Sequence, residues 1–310
     1  MNILITGATG FIGRHLVDGL IKRGIRPKLL IRRTSRIDYF KDKPVEFIYA
    51  DILNFDSLKD SFSGVDIVFH CAAEVSGGPR DKLFTANVVG TENVCRAALD
   101  VGIKKLIYLS SVAVISGNNQ NPLTDDLPYL ATNLYGVSKI EAERIALDYR
   151  NKGLAVAIFR PCMVYGEDEP HVLGLLLKLI KLRLLPIIGS GEKLLHLVYV
   201  ENVVKALLSA IDKDEAFNGT YIVADKEIFT AEEFLNLLAD TLKVMHPWHI
   251  SSCFTGILSY LPVSLIKNGI KFYSKDRSYD ISRIEKFLDY RPLPTREAVI
   301  KTVREFRWKK

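Results

Sequence analysis

"NILITGATGFIGRHL", residues 2–16, sets an apolar run, three glycines and an amphipathic stretch in direct succession. That order suits a phosphate site. A glycine allows the tight turn after a strand, the missing side chains let backbone N–H groups reach a pyrophosphate, and a helix N-terminus favours negative charge. The spacing Gly7, Gly10, Gly13 is G-x-x-G-x-x-G rather than the G-x-G-x-x-G of the dinucleotide fingerprint. Taken alone it also describes an ordinary glycine-rich strand–helix turn; its place between a strand and a helix favours the phosphate loop.

The same alternation continues outward from this stretch. "PKLLI", "VEFIYA", "DIVFH", "KLIYLS" and "AVAIF" are short apolar runs of strand length, separated by amphipathic stretches that end at Gly24, Gly102 and Gly153. Continuous apolar runs suit strands buried on both faces, with helices crossing between them and glycines stopping the helices. The fold class expected is α/β, a Rossmann-type doubly wound parallel sheet with a smaller, mostly helical C-terminal substrate domain. The rhythm breaks after about Gly166, where "HVLGLLLKLIKLRLL" (171–185) predicts a long apolar helix. "LHLVYVENVVKALLSAI" and "GTYIVAD" then return to strand and helix. The expected division is residues 1–165 as the nucleotide-binding domain, rejoined by 193–224, and 166–310 as the cap region.

Composition excludes several functions. The chain has 310 residues, 48% hydrophobic and 25% charged, which is enough for a large core. Its net charge of +6 comes without a basic stripe and interleaved aromatics; "IRRTSR" and the terminal "RWKK" are the densest clusters, so no nucleic-acid partner is expected. Cys71, Cys95, Cys162 and Cys253 are widely spaced and form no C-x-x-C pair, and the six histidines show no ligand spacing. These read as small core residues in a reducing compartment, with no metal site. No leader peptide is expected, since the glycine turn starts at Gly7, and no transmembrane segment, since "LLLKLIKLRLLPII" carries three cations and "FTGILSYLPVSLI" is short and broken by Pro262. A cytoplasmic location follows as the expectation.

The second strand ends in "LLIRRTSR". A cofactor with a free ribose 2′-OH usually meets an acidic residue there, whereas Arg32 and Arg33 suit a 2′-phosphate, so NADP is expected with NAD possible. A solvated basic turn is the alternative. Further on, "NLYGVSKIEAER" (133–144) places Tyr135 and Lys139 one helical turn apart on one face. A phenol ionises near pH 10, and a nearby ammonium would favour the phenolate needed for proton transfer at a carbinol oxygen. The pair alone also fits an ordinary amphipathic helix. A strand ending in Ser110 and Ser111 precedes it, and a hydroxyl at that sheet edge lies where ligands bind.

Taken together, these motifs resemble the short-chain dehydrogenase/reductase superfamily in its extended, epimerase/dehydratase-like branch, across nearly the whole chain. "TGATGFIG", "ADILN", "HCAA", "NVVGTENV", "SSVA", "YGVSK", "RPCMVYG" and "LHLVYVENVVKAL" occur in family order. The resemblance implies a catalytic set in which Tyr135 is the acid/base, Lys139 holds the ribose and tunes Tyr135, and Ser111 polarises the substrate oxygen. It implies a cofactor site of Gly7, Gly10, Phe11, Ile12, Gly13, Arg32, Arg33, Asp51, Ile52, Ala72, Ala73, Asn87, Tyr135, Lys139, Pro161 and Val164. Asp51 would contact the adenine, and Asn87 would support the active site. Asp289 stands where the family commonly has glycine. Relatives often form homodimers through the helix carrying Tyr135, and Ile140, Ile145 and Leu147 belong either to such a face or to the core.

The reading favoured is an NAD(P)-dependent oxidoreductase acting on a secondary alcohol or ketone of a small apolar substrate, like the hydroxysteroid dehydrogenase and dihydroflavonol reductase groups. The alternative is a nucleotide-sugar epimerase or dehydratase with tightly held NAD. A cofactor-binding protein without catalysis is disfavoured by the intact Ser/Tyr/Lys set. Arg160-Pro161 resembles the reductase groups. Sugar-modifying relatives usually carry a diphosphate-gripping Arg where this chain has Leu195, with His196 beside it and Lys193 nearby. Leu173, Leu176, Leu177 and Ile180 line either an apolar pocket or the core.

Overall fold

The computed structural model describes residues 1–75, 79–251 and 276–306. Cys253, the apolar stretch 254–266 and the terminal "RWKK" lie outside the described residues. No described helix is long and apolar enough to cross a membrane.

The six apolar runs become β1 (Ile3–Thr6), β2 (Lys28–Ile31), β3 (Glu46–Tyr49), β4 (Ile67–His70), β5 (Lys105–Leu109) and β6 (Val156–Pro161). Short strands follow: β7 (Met163–Tyr165), β8 (Ile187–Ile188), β9 (Leu194–Leu195) and β10 (Leu197–Tyr199). The chain then forms β11 (Thr220–Val223), β12 (Phe229–Thr230) and β13 (His249–Ile250). One parallel seven-stranded sheet has the order β11-β6-β5-β4-β1-β2-β3. The strand "GTYIVAD" therefore returns to the main sheet beside β6, as its sequence suggested. The winding direction reverses between β1 and β4, and a crevice opens outside their C-terminal ends.

The crossover helices among the described elements are α1 (Phe11–Lys22), α2 (Phe55–Ser61), α3 (Arg80–Phe84), α4 (Gly90–Asp100) and α5 (Leu134–Asn151). After them come α6 (Leu173–Lys181), α7 (Val200–Ser209), α8 (Ala231–Leu242), α9 (Ser282–Leu288) and α10 (Thr295–Glu305). Successive residues of β1 show why these runs carry no polar alternation. Ile3 and Ile5 enter a core with Leu16, Leu20 and Val204, whereas Leu4 enters the opposite core with Val94, Ala142 and Ala146. Both faces are covered, so both need apolar side chains.

The cap has its own core of Leu173, Leu177, Ile180, Leu195, Phe234 and Val299, with Leu176 packed against it. Those leucines of α6 thus hold the cap together. The helix is also shorter than the apolar run that predicted it. Arg183 adopts the left-handed conformation (φ 58°), and Leu184 N–H donates to the Leu179 carbonyl at 2.9 Å, closing the helix. The same logic explains Asp289 at φ 49°, the left-handed C-cap of α9, where glycine is the easier residue. On α5, Ile140 is core and Ile145 and Leu147 pack against core, while Leu134, Val137, Arg144 and Asp148 face out.

Arg160, which follows Phe159 in β6, turns its guanidinium toward α5. It pairs with the fully buried Glu143 (Nε–Oε1 3.0 Å, Nη2–Oε2 2.7 Å) and donates to the Asp125 carbonyl at 2.8 Å; Tyr129 OH also donates to Glu143 at 2.9 Å. Breaking a buried pair strands a charge. Glu143→Gln is expected to lower stability by about 3–5 kcal/mol, while Glu143→Leu with Arg160→Met recovers most of the loss. Urea unfolding midpoints of the two variants check this; an equal loss in both would place the stabilisation elsewhere.

Candidate active site

At the switch point two loops nearly touch. Gly7 has φ 73°, and a Cβ there would stand 2.5 Å from the Ala72 backbone nitrogen. Thr6 holds this approach: its Oγ1 bonds His70 Nδ1 at 2.7 Å and accepts from Ala72 N–H at 3.3 Å. His70 Nε2 meets Thr91 Oγ1 at 3.0 Å, and complete burial pushes the imidazole down to about 3, so it stays neutral. The first turn of α1 has Gly10 as its cap residue and no side-chain cap bond. Its first N–H groups therefore have no side-chain acceptor, which is the condition for an anion site at a helix N-terminus.

A cleft of about 250 Å³ runs along this edge, lined by Gly7, Gly10, Arg32, Asp51, Ile52, Ala72 and Ala73 among the expected residues. Thr9, Ser35, Glu74 and Ala86 line it too and were not anticipated. Ser35 leaves a trace in "RRTSR": its Oγ accepts from Arg32 N–H at 3.1 Å and fixes the basic turn. Arg32 and Arg33 also border an adjoining hollow with Tyr49, Asp51, Asn54 and Ser57, where Arg33 lies 5.5 Å over the Tyr49 ring. Asp51 accepts from Leu53 N–H at 3.0 Å. Phe11 and Ile12 pack their side chains against protein cores. Pro161 ends β6, and Val164 in β7 packs at the seam between sheet and cap.

The expected catalytic residues gather one strand further on, beside β5. Ser111 follows β5 and caps a short 3-10 turn, its Oγ accepting from Ala113 N–H at 3.2 Å. Asn133 caps α5, accepting from Gly136 N–H at 2.8 Å, which sets Tyr135 in the first helical turn. Gly136 is required by proximity: a Cβ there would lie 2.7 Å from the Ala113 carbonyl. The helix can therefore press against the turn that carries Ser111. Burial pushes the Tyr135 phenol up to about 12, and the nearby Ser111 hydroxyl works in the opposite sense.

Lys139 is 1% exposed, donates from Nζ to the Leu109 carbonyl at 2.8 Å and stands 4.3 Å over the Tyr108 ring. Desolvation pulls its ammonium down to about 7, against the opposing pull of Glu143 and Cys71. Asn87, buried within a π-helical turn (Thr85–Val89), binds both the N–H and the carbonyl of Glu74 (2.7 and 3.0 Å) and donates to Ser138 Oγ at 2.9 Å. Ser138 Oγ in turn donates to the Tyr135 carbonyl at 2.8 Å, so Asn87 braces α5 against the loop after β4.

The residues near the cap behave differently. His196 is buried, with Nδ1 accepting from Tyr279 N–H at 3.0 Å and Nε2 donating to the Asp225 carbonyl at 2.6 Å. Both nitrogens are used, and desolvation lowers its pKa. Leu195 is buried and pairs with Phe229; Lys193 binds Asp276 at 3.1 Å.

Residues 3–224 match the NAD dependent epimerase/dehydratase family. The chain belongs to that family, and it is an NAD(P)-dependent oxidoreductase of the extended short-chain dehydrogenase/reductase type. It is similar to a 4-hydroxy-2-methyl-3-oxo-4-farnesyl-3,4-dihydroquinoline-1-oxide ketoreductase of Stigmatella aurantiaca, 28% identical and covering 78% of this chain and 73% of that protein. It is also similar to the decarboxylating sterol-4-alpha-carboxylate 3-dehydrogenase of Mus musculus, 28% identical over 97% of this chain and 90% of that protein. The fold matches a UDP-glucuronic acid 4-epimerase of Bacillus cereus solved with NAD (TM-score 0.80, 22% identity, 98% of each chain).

The depressed Lys139 pKa makes stability depend on pH. Between about 7 and 10.5 the unfolded chain binds a proton here that the native state has released, so stability rises with pH across that window. Lys139→Met removes this dependence. The stability of wild type relative to the variant should therefore grow by about 1 kcal/mol per pH unit from pH 7 to 10. Urea titrations at several pH values check it; a constant gap would mean that Lys139 stays charged.

Proposed function

We propose that the protein reduces a ketone, or oxidises the corresponding secondary alcohol, of a small apolar substrate, with Tyr135 as acid/base and NADP as the preferred cofactor. The observation that carries this reading is that Ser111 and Tyr135 come to one edge of the sheet that also bears the glycine cleft, because Gly136, next to Tyr135, packs against the Ala113 carbonyl of the turn that Ser111 caps. When bound, the nicotinamide supplies or takes up the hydride. In the reducing direction Tyr135 gives its phenolic proton to the carbonyl oxygen, and the Ser111 hydroxyl donates a hydrogen bond to the same atom. Lys139 holds the ribose and favours the phenolate that remains, and Asn87 keeps α5 in place behind it.

Three observations support an apolar substrate. At Leu195 the chain has no cation, His196 spends both nitrogens on backbone groups, and Lys193 is paired with Asp276. A buried diphosphate needs charge-assisted donors, and this segment offers none that is uncommitted. The two similar proteins carry names that describe a ketoreductase and a sterol dehydrogenase. In the same reading, residues 1–165 with 193–224 bind the cofactor and 166–310 form the substrate cap. Two copies would pair through α5, whose first turns expose Leu134 and Val137, and the free thiols of Cys71, Cys95 and Cys162 fit a cytoplasmic location.

Arg32 and Arg33 border the hollow with Asn54 and Ser57, a donor set suited to a 2′-phosphate. Arg32→Ala is expected to weaken NADP binding about tenfold or more, with NAD affinity nearly unchanged, since a charge-assisted bond is worth about 1.5–3 kcal/mol. Fluorescence titration of both cofactors reads the ratio, and an unchanged ratio removes the assignment. Thermal shift with cofactor present, comparing apolar ketones with UDP and UDP-glucose, tests the substrate class. A response to ketones is expected; tight UDP binding with no ketone response would favour a nucleotide-sugar epimerase.

A further inference from the structure

One edge of the cap presents large apolar side chains that the sheet, the site and the cap core do not use. Leu182 is 55% exposed, Leu184 62%, Met245 64% and Trp248 54%. They come from two separate parts of the chain. Strand pairing brings those parts together, because β8 runs parallel to β13 with Ile187 opposite His249, and Ile187 N–H donates to the Trp248 carbonyl at 2.8 Å. Their neighbours Leu185 and Val244 turn inward onto the cap core, so the exposed four are a deliberate outward set rather than a failed core. Isolated exposed hydrophobics are ordinary, but a group gathered by strand pairing marks a contact surface.

The charges around the group identify its partner. Lys178, Arg183 and Lys243 are all exposed on the same two segments. The acidic side chains of α8 on this side, Asp240 and Glu232, are occupied by His246 and His249 at 2.7 and 3.2 Å. A second copy of the chain would bring cations against cations. An indole and leucines ringed by lysine and arginine instead match the boundary between anionic headgroups and acyl chains, where long basic side chains reach the headgroups as the apolar ones insert. We propose that this edge of the cap is a docking surface for an anionic lipid bilayer. The inference is independent of which ketone the enzyme reduces.

Vesicle co-sedimentation of the purified full chain tests it, using phosphatidylcholine vesicles with and without phosphatidylserine. Binding is expected only with phosphatidylserine and should weaken as salt is raised. Leu184→Asp with Trp248→Ser should lower partitioning on the order of tenfold or more. Lys178→Glu with Arg183→Glu should abolish the preference for phosphatidylserine. Cofactor titration of both variants shows whether the fold is kept. Absence of co-sedimentation, or partitioning unchanged in both folded variants, overturns the proposal. Self-association in the ultracentrifuge that the same substitutions break would also overturn it and assign the edge to a second copy.

Discussion

A buried lysine ammonium ties the chemistry to the sheet. Lys139 sits inside the protein with its Nζ on the Leu109 carbonyl and over the Tyr108 ring, both belonging to β5. Such a group is costly to desolvate, so it must have fixed partners, and those partners set the position of α5 against the strand. Tyr135 is one turn earlier on α5 and Ser111 is two residues beyond Leu109. The single contact at Leu109 therefore places the phenol and the hydroxyl at the same sheet edge. Gly136 lets the helix come this close, and Asn87, through Ser138, prevents it from drifting.

The same burial determines the electrostatics of the site. Desolvation works on both members of the pair, pulling Lys139 down to about 7 and pushing Tyr135 up to about 12. It favours the uncharged form of each, which is the form Tyr135 needs as an acid. Glu143, one turn beyond Lys139, pulls the ammonium the other way while committed to Arg160. Arg160 thus reaches the site only indirectly. Its guanidinium serves the anchoring of α5.

The sheet was legible because its inner strands are covered on both faces and are apolar nearly throughout, while the edge strand β3 is only half-buried; six runs and the later "GTYIVAD" all became strands of one sheet. The glycine turn was legible because close approach leaves a residue-type signature at Gly7. The helix ends were less so. Arg183 occupies a left-handed position without being glycine, which the apolar pattern of α6 could not indicate. The Thr6–His70–Thr91 chain was also hidden, because its residues become neighbours only when β1 and β4 pair. His196 was ambiguous in sequence for a similar reason. Its two backbone partners, Asp225 and Tyr279, lie far away along the chain.

Tyr135 is the group proposed to move the proton, and turnover of a reducible ketone by Tyr135→Phe measures this most directly. The phenylalanine keeps the ring, the packing and the helix, and loses only the hydroxyl. Turnover is expected to fall by about 10²–10⁴-fold while cofactor affinity and the unfolding midpoint remain near wild type. Near-normal turnover in the folded variant would contradict the assignment and require another proton donor at the edge of β5.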